Sequence, residues 1–212
     1  MISRFPFLTT TSVQSPPGAK DMTRLHPVVK VDVPGTNNDP LLLSVHLKSG
    51  TNLSDRFQRA VEMKRLTGYL STAGVTNADN LIVLGDFNPS SIDTVFTAQP
   101  ASGLPTSFVL GSDIAFPVTY STDPVTYFSM PTVFRLDPRQ SDGSASTFGT
   151  SSPNGPTLDL FLVSPAIAGR TVAGEIYNST LDISNATGLP KAGIPLPSNT
   201  SATASDHYAV FA

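Results

Sequence analysis

The sequence predicts a strand-rich sandwich carrying one long helix, and three observations lead there. Nineteen prolines and fifteen glycines, with abundant Ser, Thr and Asn, divide the 212 residues into short stretches joined by turns. Sandwiches have this composition more often than helical bundles. Several apolar, β-branched runs end in polar strings: Ser44-Val45-His46-Leu47-Lys48-Ser49, Gly85-Asp86-Phe87-Asn88 and Ser205-Asp206-His207. Such ends are where a β-scaffold delivers polar side chains to one rim. Only one stretch shows convincing helical spacing.

The elements follow in order. Residues 27–33 predict a strand, Pro34-Gly35-Thr36-Asn37-Asn38-Asp39-Pro40 a turn, and residues 41–47 the second strand of a hairpin, apolar enough for burial on both faces. Residues 56–70 predict the helix, with Phe57, Ala60, Val61, Lys64 and Leu66 as its apolar stripe and Ser54 and Asp55 as caps. Residues 80–85 predict a central strand ending at Asp86. Residues 158–163 predict another beginning beside Asp159, and residues 208–211 a last one just after His207. Residues 102–156 read as a long loop that Phe108, Phe116, Tyr120, Tyr127, Phe128, Phe134 and Phe148 pack onto the body. Within it residues 141–155, nearly all small and polar, are the flexible part. There is no internal repeat and no linker, so residues 1–212 are expected to form a single domain.

Composition limits the function classes. With 39% hydrophobic and 14% charged residues, and mean hydropathy near zero, the chain is globular rather than disordered. No apolar run approaches the roughly 20 residues of a membrane span. The absence of cysteine removes disulfides, thiolate metal sites and Cys nucleophiles together. A net charge of −3 and a pI near 5.5 weigh against coating nucleic acid by bulk electrostatics. A nuclease with a local basic patch stays open. Few lysines and a Ser/Thr/Asn-rich surface lean towards a secreted or periplasmic protein. The opening Met1-Ile2-Ser3-Arg4-Phe5-Pro6 lacks a secretory leader, so an exported form is expected to carry its leader upstream. Asn52-Leu53-Ser54, Asn178-Ser179-Thr180, Asn185-Ala186-Thr187 and Asn199-Thr200-Ser201 fit the N-glycosylation pattern at a frequency chance explains in so Asn- and Thr-rich a chain.

The polar strings carry the chemistry. Asp86 and Asn88, two apart at a strand end, project to the same side. The carboxylate can orient or deprotonate water and the amide can donate to a phosphoryl oxygen. Taken alone, Gly-Asp-Phe-Asn is also simply a turn. Asp206 and His207 serve one site only at a strand–loop junction, where the acid can bind a divalent cation and the imidazole can hydrogen-bond a phosphoryl oxygen. His46, on a buried strand, reads more readily than Asp206-His207 does as structural, since a histidine so placed is often a satisfied core residue, and His26 reads as structural. Asp159 opens a strongly apolar strand and needs a partner, because an unpaired buried carboxylate is costly. His207 is the natural one, a pairing that orients the ring. No Gly-rich phosphate loop, H-E-x-x-H or G-x-S-x-G competes.

In order, these strings resemble the endonuclease/exonuclease/phosphatase superfamily, the deoxyribonuclease I-like enzymes. Ser3-Arg4-Phe5-Pro6 is similar to that family's S-R-F-P strand, Val45-His46-Leu47-Lys48-Ser49 to its H-L-K-S segment, and Gly85-Asp86-Phe87-Asn88 to its G-D-F-N. Leu158-Asp159-Leu160-Phe161-Leu162-Val163-Ser164 resembles its I-D-Y-I-L-x-S strand, and Ser205-Asp206-His207 its closing S-D-H. The resemblance implies a four-layer α/β sandwich and hydrolysis of a phosphodiester or phosphomonoester by metal-activated water, with Mg²⁺, Mn²⁺ or Ca²⁺. It implies that His46, Asp86, Asn88, Asp159 and His207 are catalytic, that His46 and Asn88 contact the phosphate, and that Asp206 holds the metal.

The family's opening portion, with an Asn and a Gln-Glu pair whose Glu is its main metal ligand, has no counterpart here. The only glutamates are Glu62 on the helix and Glu175 in a late loop. The expected domain is therefore N-terminally incomplete, with weak metal affinity and open strand edges that a second copy or a complementing N-terminal segment would cover. Nucleic acid, a phospholipid head group or a small phosphoester are the expected substrates. The rival is a catalytically impaired remnant that binds a phosphoester or a protein.

Overall fold

The computed structural model describes residues 1, 3–35, 39–149, 155–184, 188–191 and 194–211. Thr36, Asn37 and Asn38 of the expected turn, the Asn185-Ala186-Thr187 pattern, and residues 150–154 of the expected flexible segment lie outside them.

A six-stranded mixed sheet organises the chain. Its strands are β1 (Phe7–Val13), β2 (His26–Val31), β3 (Leu41–His46), β4 (Leu81–Asp86), β7 (Phe134–Arg135) and β8 (Asp159–Val163), in the order β1-β2-β3-β4-β8-β7. β2 and β3 form the expected antiparallel hairpin. β3 and β4 are parallel, so the chain must cross over between them, and it does so through α1 (Leu53–Thr72). β5 (Thr94–Phe96) pairs with β6 (Val118–Tyr120), and β9 (Glu175–Tyr177) with β10 (Ala209–Phe211), as two separate two-stranded sheets. Among the described residues, no helix is long and apolar enough to cross a membrane.

Helix α1 is apolar on two sides, which the expected single stripe understated. Met63, Leu66 and Leu70 pack on Val28, Leu43, Val83 and Leu162 of the sheet. Phe57, Ala60 and Val61 face a second cluster with Phe96, Ile114, Val118 and Tyr120. Each fully buried large side chain contributes about 1.5–3 kcal/mol, so the helix is held by burial rather than by propensity. Lys64, expected in the stripe, is exposed and donates to the Ala115 carbonyl at 3.2 Å, while Met63 takes the buried place. The helix begins earlier than the expected caps: Asn52 is the N-cap, and Asp55 accepts its backbone N–H at 3.1 Å from inside the first turn.

Three local expectations are corrected. Ser3-Arg4-Phe5-Pro6 precedes its strand, which starts at Phe7. Glu175 lies in β9, buried, with Lys191 at 2.8 Å, rather than in a loop. The described part of the expected flexible segment is tied down: Tyr208 donates to the Thr147 carbonyl and Gly149 to the Asp206 carbonyl, each at 2.8 Å.

The sheet's other face carries the polar rim. Leu42, Ile82, Leu84 and Phe161 on it are half-buried, and they share that face, by strand alternation, with His46, Asp86 and Asp159.

Candidate active site

Strand register brings the site together. His46 is the Cα partner of Asp86 across the parallel pair, and Asp86 is the partner of Asp159 across the antiparallel one. The ends of β3 and β4 and the start of β8 thus lie in one row, with neighbouring strands about 4.8 Å apart. The Gly85 that precedes Asp86 has φ +128°, and a Cβ there would sit 2.1 Å from the Val45 carbonyl oxygen. Only glycine lets β3 and β4 close at this row.

Asp86 is tightly held. Its Oδ1 accepts the Asn88 backbone N–H at 2.8 Å, and its Oδ2 accepts the Asn88 Nδ2 at 2.8 Å. His46 Nε2 lies 3.5 Å from the same Oδ2, with the His46 side chain half exposed. Asn88 adopts a left-handed backbone, φ +45°, which Asn tolerates better than most residues. Its carboxamide also donates to the Leu47 carbonyl at 3.1 Å. Both amide hydrogens of Asn88 are therefore engaged within the protein. Burial pushes the Asp86 carboxyl above its ordinary range, and the charge of Asp159 adds to this. The Asn88 N–H and the charges of His46 and His207 oppose it.

His207 joins from the far end of the chain. Its Nδ1 lies 2.7 Å from Asp159 Oδ2, a pair about a fifth to a quarter exposed. Burial works against a charge on this imidazole, but the hydrogen bond and charge of Asp159, helped by Asp86 and Asp206, raise its pKa above the ordinary value. Phe148 packs edge-on against the ring at 5.0 Å. Thr147 Oγ1 accepts the backbone N–H groups of Leu158 and Asp159, at 2.8 and 3.0 Å. Reading the loop's aromatics as packing alone missed Phe148, and Thr147 had no motif to reveal it. Asp206 is exposed, and its charge helps raise the His207 pKa. His26 is buried, its Nδ1 3.4 Å from the His46 N–H, and burial drives its pKa down to about 4.

The metal expected from the resemblance meets a poor donor set. A hard dication takes about six oxygen ligands. Among the described residues, no three carboxylates or imidazoles converge as a metal would require. Asp86 spends both oxygens on Asn88, and Asp159 spends Oδ2 on His207. Glu62 is fully buried on α1, accepting the Thr23 N–H at 2.9 Å, the Thr23 hydroxyl, and the Lys48 N–H at 2.8 Å. The residues present do not fit a resident dication.

No family model matches the sequence, and no curated protein matches it. Solved structures do. Sphingomyelinase C from Streptomyces griseocarneus, 14% identical, aligns over 82% of this chain and 55% of its own with a TM-score of 0.51. A β-hairpin deletion mutant of beta toxin from Staphylococcus aureus, also 14% identical, aligns over 99% of this chain and 64% of its own at 0.49. The sphingomyelinase match shows the fold: this chain shares that enzyme's α/β architecture, of the deoxyribonuclease I-like type. It spans about half the length of that enzyme.

Proposed function

We propose that the chain is a phosphoesterase-type domain whose rim binds a phosphoryl group between His46 and His207 and hydrolyses its ester with water oriented by Asp86. The observation that supports this best is the row His46–Asp86–Asp159 with His207 bonded to its end. Two imidazoles flanking two carboxylates suit a tetrahedral anion and a water attacking it.

Each role follows from a bond. Asp159 engages His207 at Nδ1, which leaves Nε2 to donate to a phosphoryl oxygen, and the upward shift of the His207 pKa favours the charged, donating form. Burial raises the basicity of Asp86, which suits a proton acceptor for water. Asn88 reaches the phosphoryl group by giving up its bond to Asp86 or to Leu47, and only the first exchange frees an Asp86 oxygen for water. The divalent dependence implied by the resemblance belongs to this proposal only as an added ion for which the chain's own donors provide little, and no step is routed through it. Small phosphoesters are the favoured substrates, since the acidic chain disfavours a long polyanion.

A second reading rests on the engaged carboxylates: a domain that binds a phosphoester without turnover. Hydrolysis of bis-p-nitrophenyl phosphate, alone and with Mg²⁺ or Mn²⁺, separates the two. Hydrolysis by the wild type that falls at least about 10²-fold in His207→Ala is the expected result. Equal rates for both proteins under every metal condition, with phosphate still bound, would establish the binding role instead.

A further inference from the structure

Beside the phosphoryl row lies a hollow that none of the motifs addresses. It has a volume of about 280 Å³, and Gln14, Ser15, Lys20, Thr23, Arg24 and Leu25 line it. Lys20 and Arg24 are its charged residues, both exposed, and no carboxylate lines it. The one acid nearby in sequence, Asp21, is buried and bound to Ser15, Gly111 and Arg65.

Arg24 is fixed in place. Its Nη1 donates to the carbonyls of His46 and Leu47, at 3.0 and 3.2 Å. The Leu47 carbonyl also accepts from Asn88 Nδ2. One oxygen atom therefore links the guanidinium at the hollow to the carboxamide at the row, two hydrogen bonds apart. No ion pair among the described residues involves Arg24. A guanidinium held by one nitrogen keeps its remaining donors in a fixed fork, the geometry that grips phosphate and carboxylate oxygens. The backbone around it is pinned from below as well: Glu62 takes the Lys48 N–H, and Arg59 donates to the Lys48 and Gly50 carbonyls at 2.7 Å each.

We propose that this hollow is a second anion subsite, in which Arg24, aided by Lys20, binds an anionic group adjacent to the phosphoryl group held by His46 and His207. The favoured ligand class is a diphosphate-type ester, with two phosphoryl groups one bridging oxygen apart, over an isolated phosphate. This rests on the phosphoryl site proposed above.

Binding titrations with inorganic phosphate and inorganic pyrophosphate test it, followed by calorimetry and phosphorus NMR on wild type, Arg24→Ala, Arg24→Lys and His207→Ala. Wild type should bind pyrophosphate about tenfold more tightly than phosphate. Arg24→Ala should bring that ratio close to one with phosphate affinity nearly unchanged, and Arg24→Lys should restore part of it. His207→Ala should weaken both ligands together. An unchanged ratio in Arg24→Ala overturns the subsite. So does an equal loss of both ligands in Arg24→Ala, which would mean that Arg24 merely supports the turn after β3. Failure of His207→Ala to weaken either ligand would instead refute the phosphoryl site itself, and absence of any binding to wild type refutes both.

Discussion

Gly85→Ala isolates what glycine does in the Gly85-Asp86-Phe87-Asn88 string. At φ +128° an L-residue is strained by about 1–3 kcal/mol. The new Cβ would also stand 2.1 Å from the Val45 oxygen and 3.1 Å from its carbonyl carbon. Those are backbone atoms of the paired strand, so the contact is relieved only by opening β3 from β4 at Val45↔Gly85, one position before His46↔Asp86. The two effects together come to about 3 kcal/mol. In a chain of this size each kcal/mol lowers Tm by roughly 2–4 °C, so calorimetry should show a fall of about 6–12 °C. Gly74→Ala is the control: φ is +70° there but a Cβ would meet nothing within 4 Å. It should cost about 1 kcal/mol. Melting of Gly85→Ala within about 2 °C of wild type, or no lower than Gly74→Ala, would refute the account of how β3 and β4 close at the site.

Asp159→Asn should lower the His207 pKa, followed by the imidazole C2–H in proton NMR. Because the folded-state pKa of His207 is raised, the pair's stabilisation is fully present below the ordinary 6.5 and fades as pH rises through the folded value. The Tm gap between wild type and Asp159→Asn should therefore narrow at alkaline pH, and a gap independent of pH would contradict the pairing. His26, with its pKa near 4, should stay uncharged through neutral pH. Between pH 6.5 and 4 the unfolded chain takes up a proton there that the folded one refuses. Stability should then fall on acidification by on the order of 3 kcal/mol, and His26→Asn should flatten that acid limb in urea titrations. Asn88→Gly keeps the left-handed backbone at φ +45° and loses the carboxamide, while Asn88→Ala loses both. Urea midpoints should place Asn88→Ala about 1 kcal/mol below Asn88→Gly, and an inverted order would show that the backbone conformation costs nothing there.

Much of the site was legible because its residues sit at the ends of strands whose apolar runs are long. Leu81 to Leu84 and Leu160 to Val163 announce strands by composition, and register then aligns Asp86 with Asp159 without further information. The helix was equally plain, although its second buried face was not: Phe57 and Val61 bury against β5 and β6, strands of three residues that carry no readable periodicity. β1 was hidden for a different reason. Its Phe-Leu-Thr-Thr-Thr-Ser-Val run lies at the sheet edge, largely exposed, so it shows no alternation of buried and exposed positions. Of the loop aromatics, Phe108 and Phe116 pack on Phe57, and Tyr120 and Phe128 are buried, as expected. Phe134 is exposed on β7, and Phe148 reaches His207. The sequence holds no cue that separates Phe148 from the others, because its place depends on a bridge to a residue 59 positions away.

Motif order identifies which side chains meet, but not which of their atoms remain available, and the chemistry proposed for this rim turns on the second question. Asp86 with both oxygens accepting from Asn88 is an oriented anion, and such a group anchors its neighbours before it serves a ligand. Asn88 is the hinge of that arrangement, since its two amide hydrogens run to Asp86 and to the Leu47 carbonyl that Arg24 also caps. An entering phosphoryl oxygen that captures the carboxamide from Asp86 frees the carboxylate for water. One that captures it from Leu47 leaves Asp86 occupied and hands the carbonyl to Arg24 alone. The first exchange supports hydrolysis and the second supports binding. Nitrogen NMR of the Asn88 side-chain amide with bound phosphate distinguishes the exchanges: the hydrogen facing Asp86 moves in one case, and the hydrogen facing Leu47 in the other.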